Sequence, residues 1–181
     1  LMLRFHAQTG GSTLTAQQPE VNLIRVALQA LAATAGGAQS LHTNGFDEAL
    51  ALPTEHAATL ALRTQQVLLH ESGVTATADP LGGSWYVEQL TDELEARALE
   101  LIARIDELGG SVVAIEQGFI QDQIEESAYR SLRRLEDGED IVVGVNRYQL
   151  ADEHEVPILK IDPALEAKQV ERVQARRAAR D

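Results

Sequence analysis

Two short stretches carry the side chains that could do chemistry. In LMLRFHAQTGG, residues 1–11, Arg4, His6 and Gln8 alternate with Leu3, Phe5 and Ala7. In QSLHTN, residues 39–44, Ser40, His42 and Asn44 alternate with Leu41 and Thr43. A period of two puts each set on one face of an extended strand. The result is two rows of hydrogen-bonding groups, suited to gripping a long polar ligand. Glu48 follows Asn44 by four residues, in the loop after the second strand. By residue type Glu48 fits an acid favoured in a first helical turn.

Other chemistries are absent. The chain has no cysteine, which removes disulfides, zinc–thiolate sites and thiol catalysis. His6, His42, His56 and His70 match no zinc spacing, so no metal site is expected from this chain alone. The formal charge of −13 argues against nucleic acid as a partner. That charge is uneven: residues 1–50 hold three acids and two bases, whereas 91–140 hold fourteen acids and five bases, the pattern of solvated helix faces. No apolar run approaches membrane-span length and the start lacks the form of a signal peptide, so a cytoplasmic protein without membrane contact is expected.

The elements that must position these residues alternate. The first strand leads through GGSTLTAQQPE to a helix starting near Thr15–Glu20, with Thr15 and Gln18 as a capping box and Pro19 in the first turn. Its stripe is Ile24, Leu28, Leu31 and Ala32, and Gly36–Gly37 end it. That glycine pair follows a helix and precedes a strand, the reverse of a phosphate loop. The second strand spans 39–43, and a helix follows from about Thr54 to Ser72 with Gly73 as the stop. Two strands joined through one long helix are parallel and right-handed in crossover. Beyond them, ADPLGGSWYVEQ reads as a loop with a short extended piece. A helix over Thr91–Leu108 carries Leu94, Ala98, Leu101, Ile102, Ile105 and Leu108, with Glu93–Arg97 and Glu100–Arg104 as ion pairs. Short and long helices are expected near 111–117 and 121–136, the latter striped by Ile124, Ala128, Leu132 and Leu135. IVVGV at 141–145 reads as a strand, and Asp162–Pro163 start a last, arginine-rich helix.

This is an α/β pattern with too few strands. A parallel sheet is buried on both faces and rarely so small, so further strands are expected from elsewhere. Polar strand rows would then face water in an amphipathic sheet or point into a closed barrel. Most barrels fill that interior with Val, Ile and Leu. Here it would hold Arg4, His6, Gln8, Ser40, His42 and Asn44, or Gln39, Leu41 and Thr43 in the reversed register. The loops 9–18 and 44–52 would sit at the barrel's C-terminal face, where active sites lie.

The stretches RFHAQTGGSTLTAQQPEVN, GGAQSLHTNGFDEALALPTE, RTQQVLLHESGV, DPLGGSWYVEQLTDEL and IVVGVNRY together resemble the methylmalonyl-CoA mutase family, adenosylcobalamin-dependent acyl-CoA mutases. The resemblance covers nearly the whole chain, and SLHTN-x-x-DEALALPTE is its most specific motif. It implies the last two β/α units of an eight-stranded TIM barrel over 1–88, then a mainly helical region over 89–181. In that family the substrate's pantetheine arm threads the barrel past polar side chains. Arg4, His6, Gln39 and Ser40 would then approach the CoA moiety of an acyl-CoA substrate. Gln8, Asn44 and Glu48 would meet the adenosyl group of the cofactor adenosylcobalamin, with Gly11 and Ala51 against the corrin.

The implied reaction is radical isomerisation of a carbon skeleton, methylmalonyl-CoA to succinyl-CoA, with isobutyryl-, ethylmalonyl- or 2-hydroxyisobutyryl-CoA mutases as alternatives. The family's cobalt-ligating DxHxxG motif does not occur in this chain. Nor do the early barrel strands that read the acyl group. The chain by itself is therefore expected to be inactive, self-associating, and dependent on a barrel half and a cobalamin-binding domain or subunit. A non-catalytic mutase remnant and an unrelated α/β binding protein are the competing readings.

Overall fold

A computed structural model describes residues 3–152 and 155–180. The part of the first stretch at residues 1–2 lies outside the described residues. The remainder forms strand β1, His6–Gln8. It pairs in parallel with β2, Ser40–His42, in the register His6↔Ser40, Ala7↔Leu41, Gln8↔His42. Between them runs helix α1, Asn22–Ala35, and after them α2, Glu55–His70. The parallel strand pair, one helix between the strands and one after them are as the sequence predicts.

The sheet is one-sided. Ala7 and Leu41 are half-buried, whereas His6, Gln8, Ser40 and His42 are exposed. Behind β2, Thr43 is buried and donates to the Ala61 carbonyl, and Gln65 of α2 donates to Leu41 O and Thr43 Oγ1. Leu41 and Thr43 thus belong to the helix side, which rules out the reversed register. Helix α1 ends in a Schellman turn: Ala38 N donates to Ala33 O and Gly37 N to Thr34 O, with Gly37 at φ 82°. Helix α2 starts on Thr54, whose side chain accepts from Ala57 N.

Several expectations are corrected. Thr15 and Gln18 do not form a capping box. A 3-10 turn, Pro19–Val21, precedes α1, Gln18 is left-handed at φ 46°, and Thr15 Oγ1 donates to Gln17 O. The buried face of α1 is Asn22, Val26 and Ala30, while Ile24 and Leu28 are 62% and 63% exposed. The helix is apolar on two sides, and its smaller apolar residues are the buried ones, which allows close packing. Helix α3 spans Trp85–Glu107 and so begins ahead of Thr91: Ser84 holds the extended cap conformation, and Glu88 accepts from Gly83 N. The aromatic and β-branched residues there imitate a strand signal. Glu93–Arg97 pair as expected, but Arg104 turns to Glu107 instead of Glu100.

Helices α4, Ser111–Glu116, and α5, Phe119–Glu136, lie close to their expected positions. Residues 141–145 are not a strand. Gly144, at φ 84°, and Val145 turn the chain, Asn146 caps Val142 N, and one isolated bridge joins Val143 to Arg147. Without a neighbouring strand, this β-rich run folds on itself. Helix α6, Pro163–Ala178, starts on Asp162 as predicted, the side chain accepting from Ala164 N.

The surface is large for the mass. The chain exposes 13,991 Å², against about 8,600 Å² for a compact 19.7 kDa monomer. The excess is apolar in part, since Leu94, Leu101, Ile102, Ile124 and Leu132 are all half or more exposed. Among the described residues no helix is long and apolar enough to cross a membrane.

Candidate functional site

The two strands deliver their loops to one edge. Thr9, buried just past β1, donates from its N–H to His42 O. It also accepts Asn44 N at Oγ1 (3.0 Å) and Asn44 Nδ2 at its carbonyl (3.2 Å). Asn44 is 2% exposed, and its Oδ1 accepts from Gln8 Nε2 at 3.1 Å. A short strand end is therefore stitched across by one threonine and one asparagine, and the side-chain amide of Asn44 is oriented by two hydrogen bonds, from Gln8 and to the Thr9 carbonyl.

The first loop is a 3-10 turn, Gly11–Thr13. Gln29 of α1 holds it, accepting from Gly10 N at 2.6 Å and donating to Thr13 Oγ1 at 2.7 Å. The second loop turns through 46–50, with Glu48 N donating to Gly45 O and Leu50 and Ala51 N to Asp47 O. Asp47 is fully buried; its Oδ2 accepts from Thr54 N (2.9 Å) and Thr54 Oγ1 (3.1 Å). Its Oδ1 is buried without a partner and sits where a Cβ on Gly45 would come within 2.7 Å. Only glycine fits at 45.

The loops meet at Gly11. A Cβ there would lie 3.0 Å from Asn44 Nδ2 and 3.4 Å from Glu48 Oε1. Gln8, Gly11, Asn44 and Glu48, expected to act together, are thus brought together. The clearance at Gly11 is filled by Asn44 and Glu48. Ala51 lies one turn beyond Glu48, half-buried. Among the described residues neither the Glu48 carboxylate nor Gln8 Oε1 meets a donor. The exposed carboxylate and the amide oxygen are available to a ligand's hydroxyl and amino groups.

Farther back on the same sheet face, His6 Nδ1 lies 2.6 Å from Ser40 Oγ. Gln39 turns to the backbone, accepting from Phe5 N and donating to Gly37 O. Arg4 is exposed, two residues before His6. Along the strands His6 precedes Gln8 by two residues, about 7 Å, and Ser40 precedes Asn44 by four, about 13 Å. Among the described residues no three His, Asp or Glu side chains form a metal-ligand set.

Thr9, Asn22, Gln29 and Asp47 belong to the site's framework and were not singled out from the sequence. One signal was present: Asn22, Arg25 and Gln29 recur at helical spacing, a polar ridge on a helix flanked by two apolar faces.

A family model described as methylmalonyl-CoA mutase matches residues 1–181. The large subunit of 2-hydroxyisobutanoyl-CoA mutase from Aquincola tertiaricarbonis is 48% identical over all of the chain, which covers 32% of that relative. Methylmalonyl-CoA mutase from Cereibacter sphaeroides is 49% identical, and the mitochondrial methylmalonyl-CoA mutase of Mus musculus 45%, with the chain covering 26% and 24% of them. The chain thus spans between a quarter and a third of the length of these relatives.

Proposed function

The chain belongs to the methylmalonyl-CoA mutase family, and from that premise we propose that it forms part of the active chamber of an adenosylcobalamin-dependent acyl-CoA mutase. On this reading residues 1–88 are the last two β/α units of a substrate-binding TIM barrel, and 89–181 are a helical region packed around it. The bare polar face of β1 and β2 lines the barrel, and the exposed apolar helix faces are covered by the rest of the assembly. The carrying observation is the convergence of Gln8, Gly11, Asn44 and Glu48 at the C-terminal ends of two parallel strands.

The residues present fit the cofactor. Their donor set is neutral amides plus one carboxylate, which suits a ribose and a purine. The glycine at 11 keeps Asn44 and Glu48 tight against the backbone, leaving their outer atoms toward the open side. Gln8 and Asn44 would orient the adenosyl group by hydrogen bonds, and Glu48 would accept from its ribose hydroxyls. Ala51 and the Gly11 turn would lie against the corrin. When bound, the group supplies homolysis of its cobalt–carbon bond, the hard step that no side chain here can perform. The cobalt ligand comes from a domain or subunit outside this chain. Arg4, His6, Gln39 and Ser40 would bind the CoA arm, the His6–Ser40 hydrogen bond fixing the imidazole toward it. The chain's part is positioning and exclusion of water; it moves no proton.

Methylmalonyl-CoA, giving succinyl-CoA, is the substrate we assign, with 2-hydroxyisobutyryl-CoA next because a relative of nearly equal identity carries that name. Glu48→Ala tests the site. In a family mutase carrying this sequence over the matched region, adenosylcobalamin affinity should fall about tenfold or more, the value of a charge-assisted hydrogen bond. Unchanged affinity would return Glu48 to a surface acid and favour the non-catalytic remnant.

A further inference from the structure

The face of α1 that meets the site is a polar ridge of Asn22, Arg25 and Gln29, and one of its members touches both loops. Asn22 is fully buried. Its Nδ2 donates to Thr15 O and to Phe46 O, both at 2.9 Å. Its Oδ1 accepts from Thr15 N at 3.1 Å and from Arg25 Nη1 at 2.8 Å. All four hydrogen-bonding positions of the amide are used. Thr15 closes the loop that begins at Gly11, and Phe46 stands midway between Asn44 and Glu48. Arg25 bonds Thr15 Oγ1 at 3.0 Å and Val143 O at 2.7 Å, fixing the asparagine from behind. By contrast Gln29 reaches only the first loop.

We propose that Asn22 is a positioning residue that sets the spacing between the two cofactor loops, so that Gly11 and the Asn44–Glu48 pair face one ligand. It touches neither ligand nor the CoA-side residues. This rests on the reading of the site as an adenosyl pocket. Without the amide, Phe46 O and the Thr15 backbone stay buried and lose their partners, and both loops relax. The CoA side, held by Gln39 and the His6–Ser40 bond, stays in place.

The test uses a family mutase carrying this sequence over the matched region. Asn22→Ala should weaken adenosylcobalamin binding about 10- to 100-fold while the KM for acyl-CoA moves less than about twofold. A residue needed only for folding would lower the active fraction and leave both constants alike. Amide hydrogen exchange gives a reading independent of activity. In Asn22→Ala, the amides of Thr13 and Leu14 and those of Leu50 and Ala51 should exchange faster together. In Gln29→Leu only the first pair should. Should Asn22→Ala fail to fold, Asn22→Asp keeps the two acceptor contacts, loses the donations to Thr15 O and Phe46 O, and should show the same split. Should the unsubstituted protein bind no adenosylcobalamin, the adenosyl-pocket reading fails, and the exchange pattern still decides the spacing role. Equal shifts in both ligand constants, or unchanged exchange at Leu50 and Ala51 in a folded variant, overturn the proposal.

Discussion

Gly11→Ala separates two opposed effects whose sizes can be worked out. Alanine restricts the unfolded chain and so stabilises by about 0.4–1 kcal/mol where the added methyl has space. Here the methyl meets Asn44 Nδ2 at 3.0 Å and Glu48 Oε1 at 3.4 Å. Glu48 is exposed and can swing away. Asn44 cannot: it is buried and tied to Gln8, Thr9 Oγ1 and the Thr9 carbonyl. Overpacking against a fixed group costs about 1–3 kcal/mol, so the net is a local destabilisation of about 1–2 kcal/mol. Hydrogen exchange on the assembled mutase reads this directly, because a cooperative unit opens by its own free energy. The amides of Thr9, Leu14 and Ala51 should exchange about 5- to 30-fold faster than in the unsubstituted protein. Slower or unchanged exchange would mean that Asn44 has slack and that the glycine serves another purpose.

Three further outcomes follow from the same packing. Gly45→Ala should cost more than Gly11→Ala, because its Cβ would meet Asp47 Oδ1 at 2.7 Å, Pro53 Cβ at 3.2 Å and Ala57 Cβ at 3.3 Å; limited proteolysis should cut the variant within 46–54 and spare the parent. Thr54→Val removes the cap of α2, worth about 1–2 kcal/mol, and leaves buried Asp47 with the backbone N–H of residue 54 but without the hydroxyl; exchange should quicken at Ala57 and Ala58, and Thr54→Ser should restore it. The isolated chain should self-associate in light scattering, since it exposes 13,991 Å², about 60% more than a compact monomer of its mass; a clean monomer would contradict this.

What was legible in the sequence divides along physical lines. Parallel pairing of the strands followed from one long helix between two short runs, a constraint of chain geometry. The polar row was legible because a period of two leaves no other face for it. The helix stops at Gly37 and Gly73 were legible because a left-handed residue is chemically distinctive. The α1 face was misjudged because Ile24, Leu28 and Leu31 are larger than Val26 and Ala30, and size does not tell which side a sheet takes. IVVGV was misjudged because strand character in a sequence is an offer that needs a neighbouring edge. In the site, Gln8, Asn44 and Glu48 were named through the family resemblance, since type and spacing alone left Glu48 an acid in a first helical turn. Thr9, Asn22 and Asp47 were not, because their roles depend on contacts across the loops.

The central claim is that this chain completes a working mutase chamber. The direct measurement is isomerase turnover in a mixture of this chain, a family N-terminal barrel half and a cobalamin-binding subunit, with adenosylcobalamin present. Methylmalonyl-CoA, isobutyryl-CoA and 2-hydroxyisobutyryl-CoA are offered in turn. The account predicts turnover of one of them, methylmalonyl-CoA first, and its loss when this chain is left out. A folded, co-purifying complex that turns over none of the three would contradict it.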